Sequence, residues 1–239
     1  MRRLCLGWVL VWVGLTAACR GPVPPPPPPD EIIAGAAARL QGITGVHFVI
    51  DRTGAPAYLD PGNTLSLRRA EGDFAAPDRA RAVVRVIAPG LVTEISVISV
   101  AEIQWETNVL TGEWEELPPD WGFNPAVLFD AEVGLQSILA TDLTEVEFVE
   151  TEKIEEGPDE QLYHLQGRVG GEKLFRVSGG LIGPQPMAID LWIAPETFEL
   201  YRVVLTEPET GADEPSIWQV DLSRFDQVVE IAPPDLNGQ

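Results

Sequence analysis

Two cysteines and two histidines are the chain's entire stock of thiol nucleophiles and imidazole bases, in 239 residues. His47 and His164 stand far apart with no H-E-x-x-H spacing, so no zinc-hydrolase helix is written here. Each reads as a histidine satisfied within a strand or at its surface. Ser178-Gly179-Gly180 lacks the G-x-S-x-G pattern of a nucleophile elbow, and no helix pattern follows it. Neither a G-x-x-x-x-G-K-[ST] phosphate loop nor a D-x-[DN]-x-[DN]-G calcium loop occurs. Carboxylates come in runs such as Glu113, Glu115, Glu116 and Asp120, or Glu150, Glu152, Glu155 and Glu156. A well-spaced pair would hydrolyse a glycosidic bond, but runs this frequent describe a solvated surface. The residues point to no catalytic group, metal or cofactor, and a hydrolase survives only as a residual reading.

Cys19 is the one side chain with a definite chemistry. Met1 to Ala18 reads as an export signal: Arg2 and Arg3 form a positive start, Leu4 to Leu15 an apolar run, and Thr16-Ala17-Ala18 a small-residue stretch. The apolar run, about a dozen residues, is shorter than the roughly 20 that span a bilayer. Leu15-Thr16-Ala17-Ala18-Cys19 resembles a bacterial lipobox, with Thr16 where that pattern usually has Leu. Cleavage there falls before the cysteine, and its sulfur carries a diacylglyceryl group. The alternative is an ordinary signal cut after Ala18, leaving a free thiol. On the lipobox reading Cys5 leaves with the signal, no disulfide forms, and stability must come from the core. Two or more acyl chains, at roughly 0.8 kcal/mol per buried CH₂, anchor stably where one would not. The expected location is therefore the cell membrane, lipid-anchored and on its extracytoplasmic side.

Residues 19–30 then hold the acylated Cys19 and a spacer. Gly21 to Pro29 includes six consecutive prolines from Pro24, an extended polyproline II rod spanning on the order of 28 Å. The formal charge is −21, from 16 basic and 37 acidic residues. Phosphate backbones need clustered cations, so nucleic acid is excluded as a partner, and electrostatic adhesion to anionic lipid is disfavoured. An apolar fraction of 45% is ample for one folded domain over residues 31–239.

Hydropathy patterning predicts an α+β fold, a curved antiparallel sheet wrapped around a few helices. Asp30 is expected to cap a helix over Glu31 to Leu40, with Gly42 ending it. Period-two alternation follows at Val46, Phe48 and Ile50, and at Ala82, Val84, Val86 and Ala88. Val92 to Thr107 reads as one long half-buried strand, or two meeting at a bulge near Ser99. On this reading Ile95, Val97, Ala101, Ile103 and Trp105 share the inner face. A short return at Trp114–Leu117 precedes Pro118-Pro119, and Asn124 with Pro125 opens a second helical region carrying Leu128, Leu135 and Leu139. Strand patterns then cover Val146–Thr151, Leu162–Val169, Lys173–Ser178, Met187–Ile193, Leu200–Leu205 and Ile217–Leu222.

The stretches Tyr58–Gly72 and Phe74–Ala82, Thr107–Pro118 (with Thr111-Gly112-Glu113-Trp114-Glu115), Phe123–Asp130, Leu191–Ile193 and Val220–Pro234 together resemble the LppX/LprA/LprF/LprG family of bacterial lipoproteins. The resemblance implies a half-barrel similar to the LolA and LolB carriers, enclosing an apolar cavity for acyl chains of lipids or glycolipids. It further implies help in transporting them through the envelope, with an envelope transporter as a partner. The cavity would then be lined by Val84, Val86, Ile95, Val97, Ile103 and Trp105 from the first strands, Leu128, Leu135 and Leu139 from the helices, and Ile189, Leu191 and Ile193 from a later strand. Trp114, Trp121 and Phe123 would flank a lip at Pro118-Pro119. The same side chains equally suit a solid core, in which case a sensor or scaffold binding a protein partner is the alternative.

Overall fold

The computed structural model describes residues 25–60, 62–118, 124–208 and 215–236. The signal, Cys19, Trp121 and Phe123 lie outside them. The first helix, α1 (Pro29–Gln41), begins one residue before the expected cap. Pro28, at φ −55° and ψ 146°, is the last extended residue, and Pro29 opens the helix, where its missing N–H costs nothing. Asp30 lies in the first turn instead, and Gly42 ends the helix. Ile32, Ile33, Ala36, Ala37 and Leu40 are buried along one stripe.

Among the described residues eleven strands follow: β1 (Gly45–Thr53), β2 (Ser66–Ala75), β3 (Arg79–Ala88), β4 (Leu91–Val100), β5 (Ile103–Thr107), β6 (Trp114–Glu116), β7 (Leu143–Glu152), β8 (Leu162–Val169), β9 (Met187–Ile193), β10 (Leu200–Thr206) and β11 (Ile217–Ser223). All join one antiparallel sheet in the order β6-β5-β4-β3-β2-β1-β11-β10-β9-β8-β7. Two meanders therefore meet where β1 pairs with β11, Ile50 opposite Val220 and Arg52 opposite Trp218. The chain passes from one sheet edge (β6) to the other (β7) through a 3-10 helix, η1 (Pro125–Phe129), and α2 (Leu135–Thr141). That crossing, with α1 and α3 (Gly171–Val177), covers the inner face. Among the described residues, no helix is long and apolar enough to cross a membrane.

Two sequence expectations fail here, for definable reasons. The stretch Val92–Thr107 is neither one strand nor two joined by a bulge, but a hairpin, turning at Ala101-Glu102 with Ala101 at φ 54°. Residues directly opposite in an antiparallel pair share a face. Ile98 faces Trp105, Ser99 faces Gln104 and Val97 faces Glu106, so the turn sends Ile103 and Trp105 outward and brings Gln104 and Glu106 in. Lys173–Ser178, expected as a strand, lies in α3 and its C-cap. Leu174 and Val177, three apart, bury together on one helical face, and Gly170-Gly171 permits the sharp exit from β8.

The edges differ in construction. β6 is only three residues long and ends in Glu115-Glu116. β7 carries Glu145, Glu147, Glu150 and Glu152, and its register with β8 shifts twice.

Candidate functional site: a cavity beneath the helices

Alternation along each strand puts one apolar row toward the helices. In β1 these are Val46, Phe48 and Ile50, and in β9 Met187, Ile189, Leu191 and Ile193, all buried. Rows from β1, β9, β10 and β11 meet the undersides of α2 and α3 around a cavity of about 50 Å³. A water molecule's share of liquid volume is about 30 Å³, so the space is small, and it has apolar walls. Its helical wall includes Leu128, Leu135, Ile138, Leu139, Leu174 and Val177; its sheet wall includes Ile50, Ile189, Leu191, Val203, Trp218 and Val220. Ser178 also borders it, but its hydroxyl donates to the Phe175 carbonyl and accepts from the Ile182 N–H. No polar demand is left facing inward, and apolar cavities of this kind stay dry.

The helical cap is fastened to itself. Lys173 Nζ donates to Ser137 Oγ (3.0 Å) and Thr141 Oγ1 (2.5 Å) and pairs with Asp142 (2.6 Å), joining α3 to α2. Gln136 Nε2 donates to the Phe129 and Asp130 carbonyls at 2.9 and 2.6 Å, joining α2 to η1. Among the described residues, no side-chain hydrogen bond ties α2 or α3 to the inner face of the sheet. The contact there is apolar.

Of the residues expected to line a cavity, Leu128, Leu135, Leu139, Ile189 and Leu191 border this one. Ile193 is buried on β9 but away from it. Val84, Val86, Ile95 and Val97 are buried elsewhere in the core, where η1 rests on β2 and β3 and Phe129 stacks on Phe74 at 4.5 Å. Ile103 is 46% exposed, and Trp105 is buried on the opposite side of the sheet; the hairpin inverted both. Sequence reasoning missed Leu174 and Val177 because it made α3 a strand, and Ile182 because it lies in the loop after α3, outside any expected element. The i, i+3 spacing of Leu174 and Val177 was the available signal. It also left out Val203, Val220 and Trp218, although these lie at alternating positions of recognised strands.

The outer face carries the charge. Arg69 pairs with Asp51, Arg81 with Asp73, Arg85 with Glu94 and Arg202 with Asp221. His47 Nδ1 lies 2.9 Å from Asp73 Oδ1, and His164 Nε2 lies 2.9 Å from Asp190 while its ring stacks on Trp192 at 4.3 Å. Burial alone would push the Asp73 carboxyl up; hydrogen bonds from His47 and Arg81 and the Arg81 charge hold it below its ordinary value. On the inner face, burial and then the nearby Glu115 push the Glu106 carboxyl up. The described residues contain no cluster of three His, Cys, Asp or Glu able to hold a metal.

Comparison with solved structures places the same architecture elsewhere. LprF from Mycobacterium bovis superposes with a TM-score of 0.65 at 16% identity, covering 86% of this chain and 96% of that one. The Mycobacterium tuberculosis lipoprotein LppX superposes with a TM-score of 0.58 at 16% identity, covering 85% and 97%. At such identities the likeness concerns the fold. No curated protein matches the sequence. A family model does, over residues 28–231, which include the whole sheet and its helical cap: the chain belongs to the LppX_LprAFG lipoprotein family.

Proposed function

We propose that this protein is a membrane-anchored carrier that holds acyl chains of lipids or glycolipids between its helical cap and the sheet and helps move them through the envelope. Residues 1–18 serve as its signal, Cys19 bears the anchor, the proline tract spaces residues 31–239 from the bilayer, and an envelope transporter is the expected partner. The observation that carries the reading is a cavity without unsatisfied polar groups, roofed by helices that bond to one another and touch the inner face of the sheet only through apolar side chains. At about 50 Å³ the space does not admit a chain as it stands, so loading requires the cap to lift. Such a cap can lift without breaking a polar bond to that face. Sixteen methylenes in water cost on the order of 12 kcal/mol. A dry cavity offsets most of that while adding little preference over a bilayer, which lets uptake and release both run near balance.

The test uses the chain secreted with Cys19→Ser, so that the only acyl groups recovered are bound ones. Native mass spectrometry should find co-purifying or added lipid, and Val203→Trp, which fills the cavity from β10, should abolish it. Lipid-free protein that takes up nothing would end the carrier reading. The small cavity favours a second one, a scaffold that grips a protein partner. Recovery of one defined envelope protein by cross-linking, together with absent lipid uptake, would support it.

A further inference from the structure

Along β1 the inward row Val46, Phe48, Ile50 ends in Arg52, which is 4% exposed. Its cross-strand partner is Trp218, the indole that borders the cavity. The guanidinium carbon lies 5.5 Å from that ring's centroid. This places a cation one side chain away from a space without polar walls. Gly54, at φ +81° and with no room for a Cβ against the Pro215 carbonyl (2.1 Å), lets the segment before β11 pass close by and brings up Ser216.

Arg52 is poorly served there. Nη2 donates to Ser216 Oγ at 3.3 Å, while Nε is buried without a partner. Glu207, also buried, spends its oxygens elsewhere, accepting from Trp218 Nε1 at 2.7 Å and from the Gly183 N–H at 3.4 Å. Arg39, Arg69, Arg81, Arg85, Arg202 and Lys173 each have a carboxylate in contact. Among the described residues, Arg52 has none within 4 Å. In a chain with 37 acidic residues, a buried guanidinium with no carboxylate in contact is an expensive arrangement. Burial lowers its pKa, the Glu207 charge partly opposing, but a guanidinium remains charged. Its planar fork of N–H donors matches the two oxygens of a carboxylate or a phosphate.

We propose that Arg52 receives the oxyanion of the ligand's headgroup, carboxylate or phosphate, while the attached chain occupies the cavity beyond Trp218. The inference rests on the lipid-holding function above and adds to it a preference for charged amphiphiles. Three probes with the same oleoyl chain test it on the Cys19→Ser chain: oleate, 1-oleoyl-lysophosphatidate and neutral 1-oleoylglycerol.

At least one anion should bind about tenfold or more tighter than oleoylglycerol, as expected for hydrogen bonds to a charged group. Oleate leading identifies a carboxylate ligand, and lysophosphatidate leading a phosphate. Arg52→Gln should erase that preference while leaving oleoylglycerol binding within about threefold. Arg52→Lys, which keeps the charge without the fork, should retain part of the preference, and it decides the matter if the glutamine variant does not fold. Equal binding of all three probes, or a preference that survives in the folded variants, overturns this inference alone. Uptake of none overturns the carrier reading and this one with it.

Discussion

Over β2 and β3 the inner face of the sheet offers Ala70, Ala80 and Ala82, and beside them the rings of Phe48 from β1 and Phe74 from β2 meet Phe129 from η1. Phe129 of η1 stacks on Phe74 at 4.5 Å and tilts against Phe48 at 6.1 Å. Over β9, β10 and β11 the inner face offers larger aliphatic side chains, Ile189, Leu191, Val203 and Leu205, and meets more aliphatics from α2 and α3. The gap is there. Small residues on a concave face therefore did not mark the void; they lie where three phenylalanine rings pack. The opening lies where branched chains from both sides meet, and the Trp218 indole at its border leaves the remainder unfilled.

Substitutions on the two wings should respond differently. Phe129→Ala should be the costliest change, about 3–5 kcal/mol by urea denaturation. Leu139→Ala, already beside a void, should fall near the lower end of the ~2–5 kcal/mol range for such truncations. Equal losses would remove the distinction between a filled and a slack wing. Adding bulk sharpens the contrast: Val203→Trp should cost about 1–3 kcal/mol and still fold, whereas Ala82→Trp under the filled wing should cost more and broaden the unfolding transition.

Smaller effects probe the outer end of the filled wing. Ser99 and Gln104 oppose each other on β4 and β5, and Ser99 Oγ and Gln104 Nε2 are buried without partners. Gln104→Leu removes an unsatisfied donor and should be neutral to about 1 kcal/mol stabilising. Glu106 has a folded-state pKa above its ordinary value. Its contribution is therefore fully present below that ordinary value and lost as pH rises through the folded one. Glu106→Gln should thus stabilise at neutral pH by less than about 1 kcal/mol, with no advantage left near pH 3, as thermal melts across that range would show. Least of all should change on the outer face, where the exposed Arg85–Glu94 pair at 2.9 Å is worth under about 1 kcal/mol and fades in salt.

Most strands were legible because each alternates toward a single core; Leu162–Val169 and Met187–Ile193 have the bounds their patterns predicted. Two signals misled. Between Val100 and Ile103 alternation continues in the letters while the chain reverses in space, so the parity that placed Ile103 and Trp105 inside counted straight through a turn. In Gly171–Val177 a seven-residue helix offers too few periods to outvote a strand pattern. The cavity was legible only as a set of apolar residues, five of which border the space described above, because its position depends on which wing the rings of Phe48, Phe74 and Phe129 occupy. Arg52 was invisible as a site, being one more charge at the end of a strand until its cross-strand partner was known.

The open sheet ends in backbone groups of the kind a second copy's strand can extend. Glutamates stand along β7, whose pairing is twice irregular, and close the short β6. Copies held near one another on any surface would have to bring carboxylate against carboxylate before a new ladder formed. The acid surplus thus works against edge-to-edge growth at both ends of the sheet.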